Sequence, residues 1–562
     1  MRASLRLLSS RAAQLFKSLD VPVLEPGQAE YDRAIATSNR LFRFSRPDCV
    51  VQPETAKHVQ AIVREAASKN IDLTIKCNGH SYAGHSTAMK GVSLDLRRMR
   101  DVNLDMNSNI VTMDAGCQWG RVYETLINGR HNGYIINGGR CPTVGVSGFI
   151  LGGGLGPFTR SFGMGCDTLA EATVVTADGD LVTVKESDDR NSREGKLFWA
   201  LQGAGGGNFG VVVQMKLKVQ KLQNLEGTVV AGRYQWSLGE DGPSKEVIET
   251  MNIFYTFDWP NSITIDSTWA CDLRQNKKED AIRFNISFDG SRLKYERVIN
   301  KLTKKNKDEM PEVHEMLENL KSAFKRRALP EKSTRFLYET LVNQWLEETE
   351  RSYPTNQSYE LYSSFVFRND KETIQNVTIA ISKLMGEFRQ EFKGEEVNFL
   401  VTWIHSGGKA TEKKPTDSAF FWREAVFHTY VTVEWMDKWM EKDMRSFLAK
   451  VKTALRPLSL KGEAAFVNFP DRDFPTKSFE KAYFGDNWEE LRLVKEMWDK
   501  NKLFRFAQGV RLPGDPEEDP DEEKDKTDRL ANEQWESDRA QWKPYRSGNF
   551  ESGLDYLEDL GF

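Results

Sequence analysis

The chain runs to 562 residues, 39% of them hydrophobic, with 78 Lys and Arg against 82 Asp and Glu for a net charge of −4. One hydrophobic core seldom organises that length, so two domains of roughly 200 to 250 residues are expected. No apolar run approaches the ~18 to 20 residues of a membrane span. The Lys and Arg are scattered and come with no nucleic-acid motif, so a solvated surface is the expectation and neither membrane insertion nor nucleic-acid binding is.

The charge is uneven. Residues 512–562 carry 6 basic and 16 acidic side chains, a contribution of −10 that leaves the rest of the chain at +6. The run Asp515 to Asp525 is too charged to bury and predicts a disordered or loosely draped acidic tail, with Trp535, Trp542, Tyr545, Phe550 and Tyr556 available to pin it back. Six cysteines (Cys49, Cys77, Cys117, Cys141, Cys166, Cys271) show neither metal-ligand spacing nor the density of a secreted disulfide scaffold, which suits a reducing compartment. A cytoplasmic location is expected. The Arg- and Ser-rich start, Met1 to Arg11, with no acid before Asp20, makes a mitochondrial address the alternative, and its apolar run is short for a secretory signal. Sequons at Asn285, Asn356 and Asn376 weigh little without such a signal.

In chain order, residues 1–40 read as an N-terminal extension. Between Val51 and Lys69, Val59, Ile62, Val63 and Ala66 recur at helical spacing after a Pro-Glu-Thr start, predicting an amphipathic helix. Strands follow at Leu73 to Lys76, Val92 to Leu96 and Asn109 to Ala115, and a helix at Trp119 to Asn128. Ala172 to Thr176 and Leu181 to Val184, joined by Ala-Asp-Gly-Asp, read as a hairpin. Gly205, Gly207 and Gly210 formally satisfy Gly-x-Gly-x-x-Gly, but they end a helix and open the strand Val211 to Val219. A dinucleotide fingerprint does the reverse, so a nicotinamide fold is rejected. After Gln223 the texture changes to charged stretches (Lys301 to Lys307, Lys321 to Lys332) between β-rich runs at Ser262 to Ala270, Arg283 to Phe288 and Phe399 to Ile404, and near Ala464 the earlier character returns. The division expected is 41–222, an inserted 223–463, a return at 464–511 and the tail 512–562, in an α+β fold.

Two glycine-flanked loops carry the chemistry. One, Lys76-Cys77-Asn78-Gly79-His80-Ser81-Tyr82, follows a strand. The other, Gly138 to Gly156, sets Cys141 inside Cys-Pro-Thr-Val144-Gly145-Val. A buried structural cysteine or a hydrogen-bonded histidine is the ordinary reading of either residue alone. Together the loops resemble the two attachment points of the berberine-bridge-enzyme-like FAD-linked oxidases. Further landmarks in the same order support the likeness: Leu151-Gly152-Gly153-Gly154-Leu-Gly, Cys166-Asp167, Thr176-Ala-Asp-Gly179, Phe198-Trp-Ala-Leu201 with its glycines, and Tyr483-Phe-Gly-Asp-Asn487.

That resemblance implies a discontinuous PCMH/VAO-type FAD-binding domain with an inserted substrate domain of antiparallel sheet backed by helices. It implies FAD held bicovalently, through His80 at the 8α-methyl and Cys141 at ring carbon 6. It further implies cofactor contacts at Lys76, Asn78, Gly79, Ser81, Tyr82, Val144, Gly145, Phe149, Gly152, Gly153, Gly154, Asp167, Val212, Asn468 and Phe469. Glycine turns fit a diphosphate because backbone N–H groups can approach it unhindered. Thiolate and imidazole are the side chains able to add to an electrophilic ring. No metal and no protein partner is implied; the partners expected are a small-molecule substrate and O2.

Several positions depart from the family. Lys76, Cys77 and Asn78 stand in a loop that usually reads Arg-Ser-Gly-Gly-His. Phe149 replaces a histidine common in plant members. Val144 matches a position where valine accompanies oxidase behaviour. Phe466-Val-Asn468-Phe469 replaces a Tyr-x-Asn-Tyr or Tyr-x-Asn-His segment, so both phenols are gone, Phe469 cannot take a proton, and any base must sit on the substrate sheet. Strand alternation puts His428, Tyr430 and Thr432 on one face. Tyr430 matches the family's catalytic position, counted back from Trp435, and is the first candidate; Trp403 and His405, paired on another strand, come next. Each of the three also has a plain packing explanation. The expected function is FAD-linked oxidation of an alcohol or related carbon of a small, specialised metabolite, with electrons returned to O2 as H2O2. Oxidative cyclisation, or a non-redox cyclase or binding role, are the alternatives.

Overall fold

The computed structural model describes residues 12–239, 242–274, 280–304, 310–475 and 477–516. The start of the leader-like segment and nearly all of the acidic tail, both singled out in the sequence, lie outside the described residues. Thr55 caps the predicted helix, Ala56–Lys69, by accepting a hydrogen bond from the His58 N–H, and Asn70 closes it in the left-handed conformation at φ 51°. Val59, Ile62, Val63 and Ala66 are fully buried, which is the apolar stripe the spacing predicts. The helix packs against the strands Leu169–Val175 and Val211–Lys221, and a separate four-stranded sheet runs in the order Val23–Leu24, Cys49–Val51, Val92–Asp95, Leu73–Lys76.

A second sheet has Val211–Lys221 at its centre, with Ile110–Asp114 on one side and Leu169–Val175 on the other, both antiparallel. The predicted hairpin pairs Leu169–Val175 with Leu181–Lys185, and Gly179 takes φ +78° in its turn.

The third sheet is seven-stranded and wholly antiparallel, in the order Leu329–Lys332, Thr228–Gly239, Asp280–Phe288, Ile263–Asp272, Val397–His405, Phe427–Trp435, Tyr359–Val366. Its two faces belong to different cores. On one, Phe399, Val401, Trp403, Phe427 and Val431 pack with the helices Lys245–Thr256, Pro311–Arg327, Lys371–Glu391 and Glu441–Leu455. On the other, Tyr362, Val366, Ile404 and Tyr430 join the core of the two smaller sheets. Both faces being buried explains why the central strands read as near-continuous apolar runs. Among the described residues no helix is long and apolar enough to cross a membrane.

Candidate active site

One cavity, with about 290 Å³ of room for atom centres, lies where the third sheet meets the other two. The strand Leu73–Lys76 delivers the His80 loop to it. Gly79 turns the chain at φ +82°, and the loop is pinned from behind: the Cys77 thiol donates to the Ala115 carbonyl at 2.9 Å and Asn78 Nδ2 to the Gly116 carbonyl at 3.1 Å. The His80 ring donates to the Thr143 carbonyl of the Cys141 loop. Burial lowers its pKa to about 4 although that hydrogen bond opposes the shift, so the imidazole is neutral and keeps a nucleophilic nitrogen at ordinary pH.

The Cys141 loop enters from the helix Trp119–Asn128 side, where the Trp119 N–H donates to the Val144 carbonyl and the Gly120 N–H to that of Pro142. Burial pushes the Cys141 thiol up to about 12; Glu348 adds to the rise, while the Thr349 hydroxyl, Arg140 and Arg351 oppose it. Arg140, next in the chain, is locked by a bidentate ion pair to Asp266 of the third sheet at 2.7 and 2.9 Å, and donates also to the Leu155 carbonyl. His80 and Cys141 are only partly buried by surface area, because both face the cavity.

Of the residues expected around a cofactor, Asn78, Gly79, His80, Ser81, Tyr82, Cys141, Val144, Gly145, Phe149, Val212, Asn468 and Phe469 all line this cavity. The others do not. Lys76 turns away: its ammonium donates to the Ala34 carbonyl at 2.8 Å, and burial lowers its pKa to about 8, so it braces the loop from behind, where its charge still helps to lower the His80 pKa. Gly152, Gly153 and Gly154 stand behind the lining. A Cβ on Gly152 would sit 1.9 Å from the Asn468 carboxamide oxygen, and one on Gly154 would sit 2.5 Å from the Phe149 ring, so these glycines make room for two lining residues. Asp167 is spent on Arg423, at 2.7 and 2.9 Å, and on the Met164 N–H.

The catalytic candidates separate by strand parity. Tyr430 faces the cavity. Trp403 and His405 face the opposite side of the sheet, and the expectation that they meet substrate is corrected here. Trp403 stacks on Tyr255 at 4.2 Å within the helix-backed core. His405 stacks on Phe427 at 4.6 Å, accepts from the Ile265 N–H at 3.1 Å through Nδ1, and is fully buried. Ile404, between them, is the residue that lines the cavity.

Sequence reasoning missed Arg140, Trp345, Glu348 and Phe466 as lining residues. Glu348 lies in Glu-Glu-Thr-Glu-Arg, which reads as solvated surface; the available signal was the helical spacing of Trp345, Glu348, Thr349 and Ser352. Their helix, Leu346–Arg351, covers the cavity. The Tyr430 hydroxyl donates to Glu348 Oε1 at 3.0 Å, and Arg351 holds the same oxygen at 3.2 Å. The Tyr82 and Tyr362 rings lie 4.0 Å apart, tilted by 33°, and Phe469 stacks on Tyr430 at 4.2 Å.

The donor set fits FAD. Gly205 and Gly207, at φ +87° and +78°, line the cavity with the bare backbone a diphosphate needs. A neutral imidazole and a thiol face the same space, and aromatic walls suit ring systems. The family model described as FAD binding domain matches residues 47–185, and that described as berberine and berberine like matches 465–511. An FAD-linked oxidoreductase of Bacillus subtilis, YgaK, is 25% identical over 83% of this chain and 91% of its own. The FAD-linked oxidoreductase ZEB1 of Gibberella zeae is 27% identical over 82% and 75%. In fold, the berberine bridge enzyme of Eschscholzia californica superposes with a TM-score of 0.72 at 18% identity, covering 90% of this chain and 99% of that one. Two family models in the expected order, relatives matched along most of their length and the shared PCMH-type fold make this chain similar to the berberine-bridge-enzyme-like FAD-linked oxidoreductases.

Proposed function

We propose that the protein is an oxidase that removes a hydride from the carbinol carbon of a small organic alcohol, with FAD attached at both His80 and Cys141 and O2 as the final acceptor. The observation that carries this reading is that one cavity is lined by His80, Cys141 and Tyr430 together. When bound, FAD supplies the two-electron acceptor and O2 takes the electrons from it as H2O2. His80, held neutral and oriented by the Thr143 carbonyl, presents a ring nitrogen for one bond, and Cys141 presents sulfur for the other. Gly79 and the Gly205 and Gly207 turns give backbone donors to the diphosphate. Tyr430 meets the substrate hydroxyl, and Phe466, Phe469 and Ile404 exclude water from it. Val144, a small side chain on the same cavity wall, would leave room for O2. We assign residues 41–222 and 464–511 to the FAD domain and 223–463 to the substrate domain, with 1–40 as an extension and 512–562 as a tail.

The test is anaerobic mixing of the yellow holoenzyme with cinnamyl alcohol and, separately, with cellobiose, a sugar hemiacetal. Bleaching near 450 nm, followed by recovery of colour and peroxide release on admitting air, is expected with one of them. Bleaching by dithionite but by neither alcohol would reject alcohol oxidation.

A further inference from the structure

The helix Leu346–Arg351, with the residues that flank it, joins the Cys141 loop to the strand Phe427–Trp435. Trp345, just before it, lies 5.5 Å from the Arg140 guanidinium, and Ser352, just after it, meets the Thr143 hydroxyl at 3.0 Å, so both ends are tied to the Cys141 loop. Between them Glu348 turns into the cavity and takes the Tyr430 hydrogen bond at 3.0 Å. Arg351 fixes that carboxylate at 3.2 Å and reaches Glu434 at 3.6 Å. Both side chains of the Glu348–Arg351 pair keep little exposure, 13% and 12%.

Tyr430 is ill placed to act alone. Burial first, then the negative charge of Glu348, hold its phenol well above the usual value, so it stays protonated. A protonated phenol can still pass a proton, accepting one on its oxygen while giving its own along an existing hydrogen bond. Glu348 is the acceptor at the end of that bond. Phe466 and Phe469 offer no proton-accepting atom, and His428, on the same face of the sheet, has its pKa lowered to about 3 by burial and by Arg423.

Resting on the alcohol-oxidation reading above, we propose that Glu348 receives the proton that leaves the substrate and that Tyr430 is the bridge between them. The substrate O–H breaks as an O–H forms on Tyr430; the Tyr430 O–H breaks as one forms on Glu348. The carbon-bound hydrogen leaves with its electron pair to oxidised FAD, and the product is the carbonyl compound. The groups facing the pair are Arg351, Glu360, Glu434, Tyr82, Tyr362 and the Cys141 sulfur. Glu348 acts through Tyr430 and is a positioning and proton-holding residue, whereas Tyr430 touches substrate.

The experiment compares wild type, Glu348→Gln, Glu348→Asp and Tyr430→Phe holoenzymes in anaerobic reduction by cinnamyl alcohol or cellobiose. In parallel, 3-fluorotyrosine is placed at position 430 and its ionisation followed by 19F NMR. The expected result pairs two opposite changes. Glu348→Gln ionises the fluorotyrosine at lower pH, because a negative neighbour is gone, yet slows reduction about 10²- to 10⁴-fold. Glu348→Asp recovers part of the rate. Reduction by Glu348→Gln as fast as wild type or faster would overturn the proposal in favour of a lone Tyr430 phenolate. If Tyr430→Phe alone keeps the wild-type rate, the Tyr430 reading falls and the relay with it. If neither alcohol reduces wild type, the alcohol reading fails separately, and the fluorine titration decides the pair: a curve unchanged by Glu348→Gln removes the hydrogen bond on which the relay depends.

Discussion

Asp266→Ala tests how firmly the Cys141 loop is bound to the seven-stranded sheet. Arg140 and Asp266 are 6% and 4% exposed, joined by two hydrogen bonds of 2.7 and 2.9 Å. The Asp266 carboxylate also accepts from the His405 N–H at 2.9 Å, so the substitution strands two donors, one of them charged and buried beside Cys141. Breaking such a pair from one side costs about 3 to 5 kcal/mol, because the surviving charge has no compensation. At about 2.1 cal/mol/K of unfolding entropy per residue a chain this long shifts by roughly 1 °C per kcal/mol, so the melting temperature should fall by roughly 3 to 4 °C. Differential scanning fluorimetry of the holoenzyme reads this directly. Replacing both partners by apolar residues, Arg140→Met with Asp266→Leu, should recover most of the loss, since an apolar pair of similar volume needs no desolvation. Peptide mass should also show less flavin on Cys141 in Asp266→Ala than in the double variant. Melting of Asp266→Ala within about 1 °C of wild type would refute the reasoning, for it would mean that the Arg140 charge finds solvent or another partner without cost.

Either His80→Ala or Cys141→Ala should leave flavin on the protein through the remaining bond, while the double variant should release it all on acid precipitation; peptide mass distinguishes the three. Val144→Leu should slow reoxidation of the reduced enzyme by about tenfold or more, equivalent to ~1.4 kcal/mol of barrier, with the reductive half-reaction changed less; stopped-flow mixing with O2 measures both. Gly152→Ala places a methyl 1.9 Å from the Asn468 oxygen, so it should destabilise by about 1 to 3 kcal/mol and shift the flavin spectrum as Asn468 moves. Glu360 is pushed up to about 7 by burial, and Glu434 and Glu348 add to the rise while Arg351 and the Tyr362 hydrogen bond oppose it. The unfolded chain loses that proton near 4.5. Between those values the folded state therefore binds the extra proton, and stability falls as pH rises. Glu360→Gln should flatten that decline in thermal melts from pH 5 to pH 8.

Much of the fold was legible because the local signals agreed. The Pro-Glu-Thr start and the stripe Val59-Ile62-Val63-Ala66 mark one helix at its start and face, and the structure has it at Ala56–Lys69. The glycine loops were legible for a related reason: His80 and Cys141 sit in turns that need bare backbone, so composition exposes them. Strand parity was not legible where both faces of a sheet are buried. In Val397–His405 every residue is buried, so no polar partner marks the outward face, and Trp403 and His405 read as well as Ile404 for a cavity position. In Phe427–Trp435 the same ambiguity was resolved by position alone. Lys76 misled because a lysine beside a glycine loop suggests an anion partner, whereas its stem passes beneath Gly79 to a backbone carbonyl. Glu348 was hidden in a charged helix, Leu346–Arg351, whose inner face shows only in the spacing of Trp345, Glu348, Thr349 and Ser352.

Bicovalent attachment of FAD can be read on acid-denatured wild-type protein, digested and analysed by absorbance and mass. One flavin should cross-link the peptide that contains His80 to the peptide that contains Cys141, with no yellow colour in the supernatant. Flavin recovered free in the supernatant, or found on only one of the two peptides, would contradict it.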